Sequence, residues 1–294
     1  MRPITVTVGP LAAASATSIC AAQAPAAGTT FVLNGALASY SFQGTGSITG
    51  QVLTITAVTT GVLQGYAPLK GTLLSGVGVL ANTAVTVPQV YNVNTVGAFN
   101  LNIAQTVSST TIYGGAVATL DVPRRILFTP SGNESSNSFT IVGTDVNGAA
   151  ISEVLPGANA TAFYSAMDYK TVTQISPTNT AAANITVGTA TIASTPWVRF
   201  DEYAPFPTAI QITITGTANY TLQQTLQDAS SPFNVTPILP YQMTWINSAD
   251  PAVVASTVSA QSSYTYAPLY ARVVLNSGTG SLQAVFSQNA SSSF

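Results

Sequence analysis

Side chains able to do acid–base, metal or ion-pair chemistry gather in three places. They are Asp121 with Arg124 and Arg125, Asp145-Val146-Asn147-Gly148, and Arg199 with Asp201-Glu202. Histidine is absent, which removes the usual general base, metal ligand and pH switch together. Asp201 and Glu202 are neighbours, and adjacent strand residues face opposite ways. They therefore do not make the paired carboxylates of a glycosidase-type site. Asp145-Val146-Asn147-Gly148 matches the opening of a calcium loop, but the later ligands and the distal glutamate are missing. A hairpin turn accounts for it. Catalytic, cofactor-binding and metal-binding residues are all assigned as none, and no enzyme and no cofactor are expected.

The remaining candidates suit assembly. In the doublet Arg124-Arg125 the strand period predicts one paired and one exposed arginine. Asp121 is the expected partner of that pair, and Asp201 that of Arg199. Tyr203, Tyr220, Tyr241, Trp245, Tyr264, Tyr266 and Tyr270 concentrate in the last third, where aromatics line a glycan groove or anchor an interface. YTYAPLY, with Pro268 inside it, is the expected exposed segment. The interface candidates are Ile4, Val6, Val8, Arg124, Arg125, Arg199, Tyr264, Tyr266 and Tyr270. Cys20 is the only cysteine and lies in the small-residue run SATSICAAQA, so an intrachain disulfide and a cysteine-rich metal site are excluded. A packed thiol is expected there.

Charge is scarce and unevenly placed. Only 5% of residues are charged, against about 25% in soluble domains. All nine carboxylates lie from Asp121 onward, and Arg2 and Lys70 are the only basic residues before it. A 46% hydrophobic content argues against disorder. No apolar run approaches the roughly 18–20 residues that span a bilayer, so no membrane partner is expected. Net charge of −2 and pI near 4.8 offer no footprint for nucleic acid. Such a chain covers much of its weakly charged surface in assembly, because large subunit interfaces are depleted in charge.

The elements that must position these residues read as strands. Ile4, Val6 and Val8 alternate with Thr5 and Thr7 up to Gly9-Pro10. That alternation and Pro10 favour a mature strand or arm over a secretory signal in residues 1–27. Leu11–Ala27 reads equally as a helical turn or an extended arm, and Thr29–Leu33 as a strand closed by Asn34-Gly35. Between Ser39 and Gly115, β-branched residues at period two predict about six short strands. Further strands follow every 8–12 residues, then WVRFDEY, AIQITITGT, NYTLQQTL, YQMTWI, PAVVASTVS, LYARVVLN and SLQAVFSQ. The expected fold is all-β with very little helix, in two to three β-sandwich or barrel-like domains with an inserted small β-module. The division reads as 1–38, N-terminal arm and first strands of a host domain; 39–115, inserted β-module; 116–195, host β domain; 196–294, C-terminal β-sandwich.

PRRILFTPSGNESSNSFTIVGTDVNGAAISEVLPGANA, YKTVTQI, NITVGTA, WVRFDEYAPFP, ANYTLQQTLQD and YAPLYARVVLNSGTGSLQAVFSQ carry a resemblance. Over about 115–290, and again at MRPITVTVGPLA, the chain resembles a recurring virion protein family of tailed bacteriophages. GTGSITGQVLTITAVTTGVLQGY is similar to a β-module found in many phage capsid and tail proteins, departing from it at LQGYAPLKG. The resemblance implies a non-enzymatic structural protein forming a symmetric oligomer on the virion, made in the host bacterial cytoplasm. Its implied partners are other copies of itself and other virion proteins, the major capsid protein or neck and tail proteins. Capsid decoration or a head fibre is the favoured post, and a short-tail, collar or tail-fibre component the alternative. A glycan-binding adhesin, with a host surface glycan as partner, is the alternative from another class.

Overall fold

The computed structural model describes residues 3–61, 72–88, 97–201, 207–234, 238–266 and 268–288 of the 294. Strands dominate them, and the helical content among them is two three-residue 3-10 turns, Pro240–Gln242 and Pro251–Val253. The chain is an all-β protein of several antiparallel sheets. It divides into two compact units, one of residues 1–14, 121–125 and 190–294, the other of residues 15–120 and 126–189. That partition puts the first strand with the C-terminal strands.

The first unit is a sandwich. One sheet runs β1 (Ile4–Val8), β22 (Ser281–Ser287), β17 (Thr208–Thr215), β20 (Ala260–Tyr264). The other runs β15 (Ala193–Ser194), β21 (Tyr270–Ser277), β18 (Asn219–Thr225), β19 (Ile246–Asn247), with β16 (Val198–Arg199) also on β21. Period two decides which side chains enter the core. Ile4, Val6 and Val8 stand opposite Phe286, Ala284 and Leu282, and Ile210 and Ile212 continue that inner face. Tyr220, Leu222, Val273 and Leu275 close the core from the other sheet. Each fully buried aliphatic or aromatic side chain contributes about 1.5–3 kcal/mol.

The second unit holds two apolar cores. One lies between the sheet β11 (Ala150–Pro156), β10 (Ser138–Thr144), β13 (Tyr169–Pro177), β8 (Val117–Arg124), β3 (Ala38–Ser39) and the sheet β12 (Phe163–Tyr164), β9 (Ile126–Pro130), β14 (Ile185–Thr189), β2 (Ser15–Gln23). The other belongs to residues 42–112 alone. There β4 (Phe42–Gly61) and β7 (Gly97–Gly114) pair from Phe42–Gly114 to Ile55–Gly97, with β5 (Leu74–Ser75) and β6 (Val85–Pro88) on β7. Register shifts after Gly46 and Gly50 bend the pair. β4 then curls until Thr56 Oγ1 donates to Thr45 O at 3.1 Å. A Cβ on Gly46 would lie 2.6 Å from Thr54 O, so this curl needs glycine.

Several expected elements differ. Among the described residues of 39–115, β4 and β7 are very long where about six short strands were expected; LQGYAPLKG lies outside the described residues. Leu11–Ala27 contains β2 and no helical turn. Thr29–Leu33 is no ladder strand, because Thr30 N donates to Val79 O, Phe31 N to Ile175 O and Val32 N to Gln23 Oε1. Three partners in three places give no continuous pairing. PAVVASTVS begins as a 3-10 turn, since Pro251 starts it and Asp250 Oδ1 accepts from Ala252 N at 2.9 Å. WVRFDEY and YQMTWI shrink to two-residue strands, and Glu202 and Tyr203 lie outside the described residues.

Candidate functional site

Among the described residues of the first unit, aromatic and charged side chains gather on the outer face of the sheet containing β18 and β21. Tyr220, Leu222, Val273 and Leu275 point inward, so the alternate residues Thr221, Gln223, Thr225, Tyr270, Arg272 and Val274 point out. Gln223 stands opposite Arg272 on one side and Asn247 on the other. Arg272 Nε and Nη2 both donate to Gln223 Oε1, at 3.1 and 3.0 Å, and Gln223 Nε2 donates to Asn247 Oδ1 at 3.1 Å. The Arg272 guanidinium lies 4.1 Å from the Trp245 ring centroid, inside cation–π range. Trp245 meets Trp197 edge-on at 5.1 Å, and Trp197 meets Tyr270 at 6.1 Å.

The cluster ends at Asp228. Its carboxylate is 4.0 Å from Arg199 and accepts from Tyr270 Oη at 3.4 Å. It also accepts from Ser230 Oγ at 2.6 Å and Ser230 N at 3.0 Å. The two Ser230 hydrogen bonds, with smaller help from Arg199 and Tyr270, hold the Asp228 carboxyl below its ordinary value. Ser231 N and Asn234 Nδ2 donate to the Asp228 carbonyl, so one residue organises the whole turn 228–234.

A second constellation ties down the chain start. Arg124 is 1% exposed; its Nη1 donates to Ala12 O at 2.7 Å and lies 3.3 Å from Asp121 Oδ2. Its Nη2 donates to Ala13 O at 3.3 Å, and Asp121 Oδ2 accepts from Ala12 N at 2.8 Å. Burial lowers the Arg124 pKa and the Asp121 charge partly restores it. Carboxylates in the second unit do similar work. Buried Glu134 accepts from Ala182 N, Ala183 N and Asn137 Nδ2, and buried Glu153 from Ala166 N and Met167 N. Asp145 Oδ1 accepts from Asn147 N and Ala149 N, and Gly148 has φ +79°. That is the turn chemistry expected of this sequence.

The expected interface residues divide accordingly. Ile4, Val6, Val8 and Tyr264 pack in or against the first unit's core, and burial beside Tyr266 pushes the Tyr264 phenol up. Arg124 joins Asp121, while Arg125 is half-buried with its Nε unpaired. Arg199 is exposed and its ion partner is Asp228 and not the expected Asp201; the Asp201 main-chain N and O bond the Gln288 side chain. Tyr266 is 46% exposed and accepts a hydrogen bond from Gln224, and Tyr270 belongs to the aromatic cluster. In YTYAPLY, then, Tyr264 is core and Tyr266 surface. Sequence reasoning missed Trp197, Gln223, Asp228 and Arg272. The outward parity of Tyr270 and Arg272 was readable, but their partners sit on strands whose register no local pattern gives. Cys20 is fully buried, and burial pushes its thiol up. Comparison with family models, curated proteins and solved structures finds no match to the chain.

Proposed function

We propose that the chain is a non-enzymatic structural protein of a tailed bacteriophage virion, assembled as a symmetric oligomer on the particle surface. The favoured post is capsid decoration or a head fibre, with the 42–112 module turned outward. The observation that carries the reading is how ionisable groups are used. Arg124, Glu134 and Glu153 hold main-chain groups, and Arg272 holds Gln223 beside Trp245. Charge here fixes architecture. The resemblance of the sequence to phage virion proteins supports the same reading, as does the scarcity of charge, which suits large covered interfaces.

Mass spectrometry of purified virions and immunogold imaging test it. The expected result is the protein in intact particles, with label spread over the heads. Label confined to the portal and tail overturns the capsid post in favour of a collar or tail component, and absence from purified virions overturns the reading. Tyr266, an exposed aromatic bonded to Gln224 of β18, favours one second reading, a glycan adhesin. Under it, glycan-array binding is present and is lost in Tyr266→Ala.

A further inference from the structure

Asparagine is followed by glycine twice in the chain, at Asn34-Gly35 and Asn147-Gly148. The dipeptides are identical, and the fold treats them differently. Asn34 Oδ1 accepts from Ala21 N at 2.8 Å, which ties down its side-chain amide, and Gly35 N donates to Ile19 O at 2.9 Å. A Cβ on Gly35 would lie 2.3 Å from Ser18 O, so β2 crowds that site. Asn147 and Gly148 are exposed in the loop that joins β10 to β11 after the pair Thr144–Ala150. Asp145 holds the main chain of this loop. Its Oδ1 accepts from Asn147 N at 2.8 Å and Ala149 N at 2.9 Å, and its carbonyl accepts from Gly148 N at 3.2 Å. The Asn147 side-chain amide makes no hydrogen bond among the described residues. A Cβ on Gly148 would meet nothing within 4 Å, so the space around this residue is open.

We propose that Asn147 is a site of spontaneous deamidation, with water as the co-reactant. Gly148 N gives up its proton to hydroxide and bonds to Asn147 Cγ. The Cγ–Nδ2 bond breaks, the nitrogen takes a proton and leaves as ammonia, and a cyclic imide remains. Water then opens the ring at either carbonyl. Opening at Cγ gives aspartate; opening at the main-chain carbonyl gives isoaspartate, in which the chain runs through Cβ and Cγ. No electrons are transferred. Glycine favours the closure because it has no Cβ and its backbone is permissive. Either product adds one carboxylate to a chain whose net charge is −2. Isoaspartate also lengthens the main chain between the two amides that Asp145 Oδ1 holds.

The test is peptide mapping by mass spectrometry of the folded full chain, aged in mildly alkaline buffer at physiological temperature. The peptide containing Asn147 is expected to gain the mass of an amide-to-acid exchange and to split into aspartyl and isoaspartyl forms. The peptide containing Asn34 is expected to lag behind it. Isoelectric focusing shows a matching acidic form, which is lost in Asn147→Gln; that side chain keeps the amide and sits on an exposed loop. The same ageing in urea is expected to bring both asparagines to similar rates, because the fold alone distinguishes them. Asn147 unchanged in the folded chain, Asn34 reacting as fast or faster there, or an acidic form that persists in Asn147→Gln overturns the proposal.

Discussion

Arg124 and Arg125 are adjacent and identical in type, yet the fold uses them differently. Arg124 spans Asp121, Ala12 O and Ala13 O, whereas the Arg125 side chain has no ion pair or hydrogen bond among the described residues. Arg124→Met takes the donor from the carbonyls of Ala12 and Ala13 and the ion partner from Asp121, which keeps Ala12 N, and is expected to cost about 1–3 kcal/mol. Arg125→Met is expected to cost under about 1 kcal/mol. Urea unfolding followed by tryptophan fluorescence measures both; equal costs contradict the clamp. Asp228 makes a pH prediction. Its folded pKa lies below the ordinary 3.8, so its stabilisation is complete above that value and is lost as pH falls through the lower folded value. Tryptophan emission, sensitive to Trp197 beside Tyr270, is expected to change only below about pH 4. Asp228→Asn removes that step, and a transition centred above about pH 5 counts against the assignment.

Among the elements, β4 shows what residue types demand of a strand. Gly44 and Gly46 sit where the strand meets its own far end, at Ala57 O and Thr54 O. Gly46→Ala inserts a methyl 2.6 Å from Thr54 O; overpacking of this kind costs about 1–3 kcal/mol. Differential scanning calorimetry of the variant is expected to show a lowered transition, and an unchanged profile contradicts the curl. The β-branched period in this region was legible, and so was its glycine richness. The curl was not, because it depends on which distant atoms a missing Cβ leaves room for. The 3-10 turn at Pro251 was legible in principle from Asp250-Pro251, a capping residue before a proline, but the apolar run after it reads as a strand to any period-two template.

At the scale of the whole molecule, both tryptophans, Trp197 and Trp245, belong to the first unit. Fluorescence therefore reports that unit, while far-UV circular dichroism reports every sheet. Because the units have separate cores, the two denaturation curves are expected not to coincide; coincident curves mean that the units unfold as one. The all-β class, the turn at Gly148 and the scarcity of charge follow from the sequence alone. Each rests on neighbours a few residues apart, through side-chain alternation or a left-handed glycine. Tertiary structure decided the rest. It joined β1 to β22, Arg124 to Ala12, Arg272 to Trp245 and Asp228 to Arg199. Sheet register between distant strands is set by burying all the inner faces at once, and no local stretch carries that information.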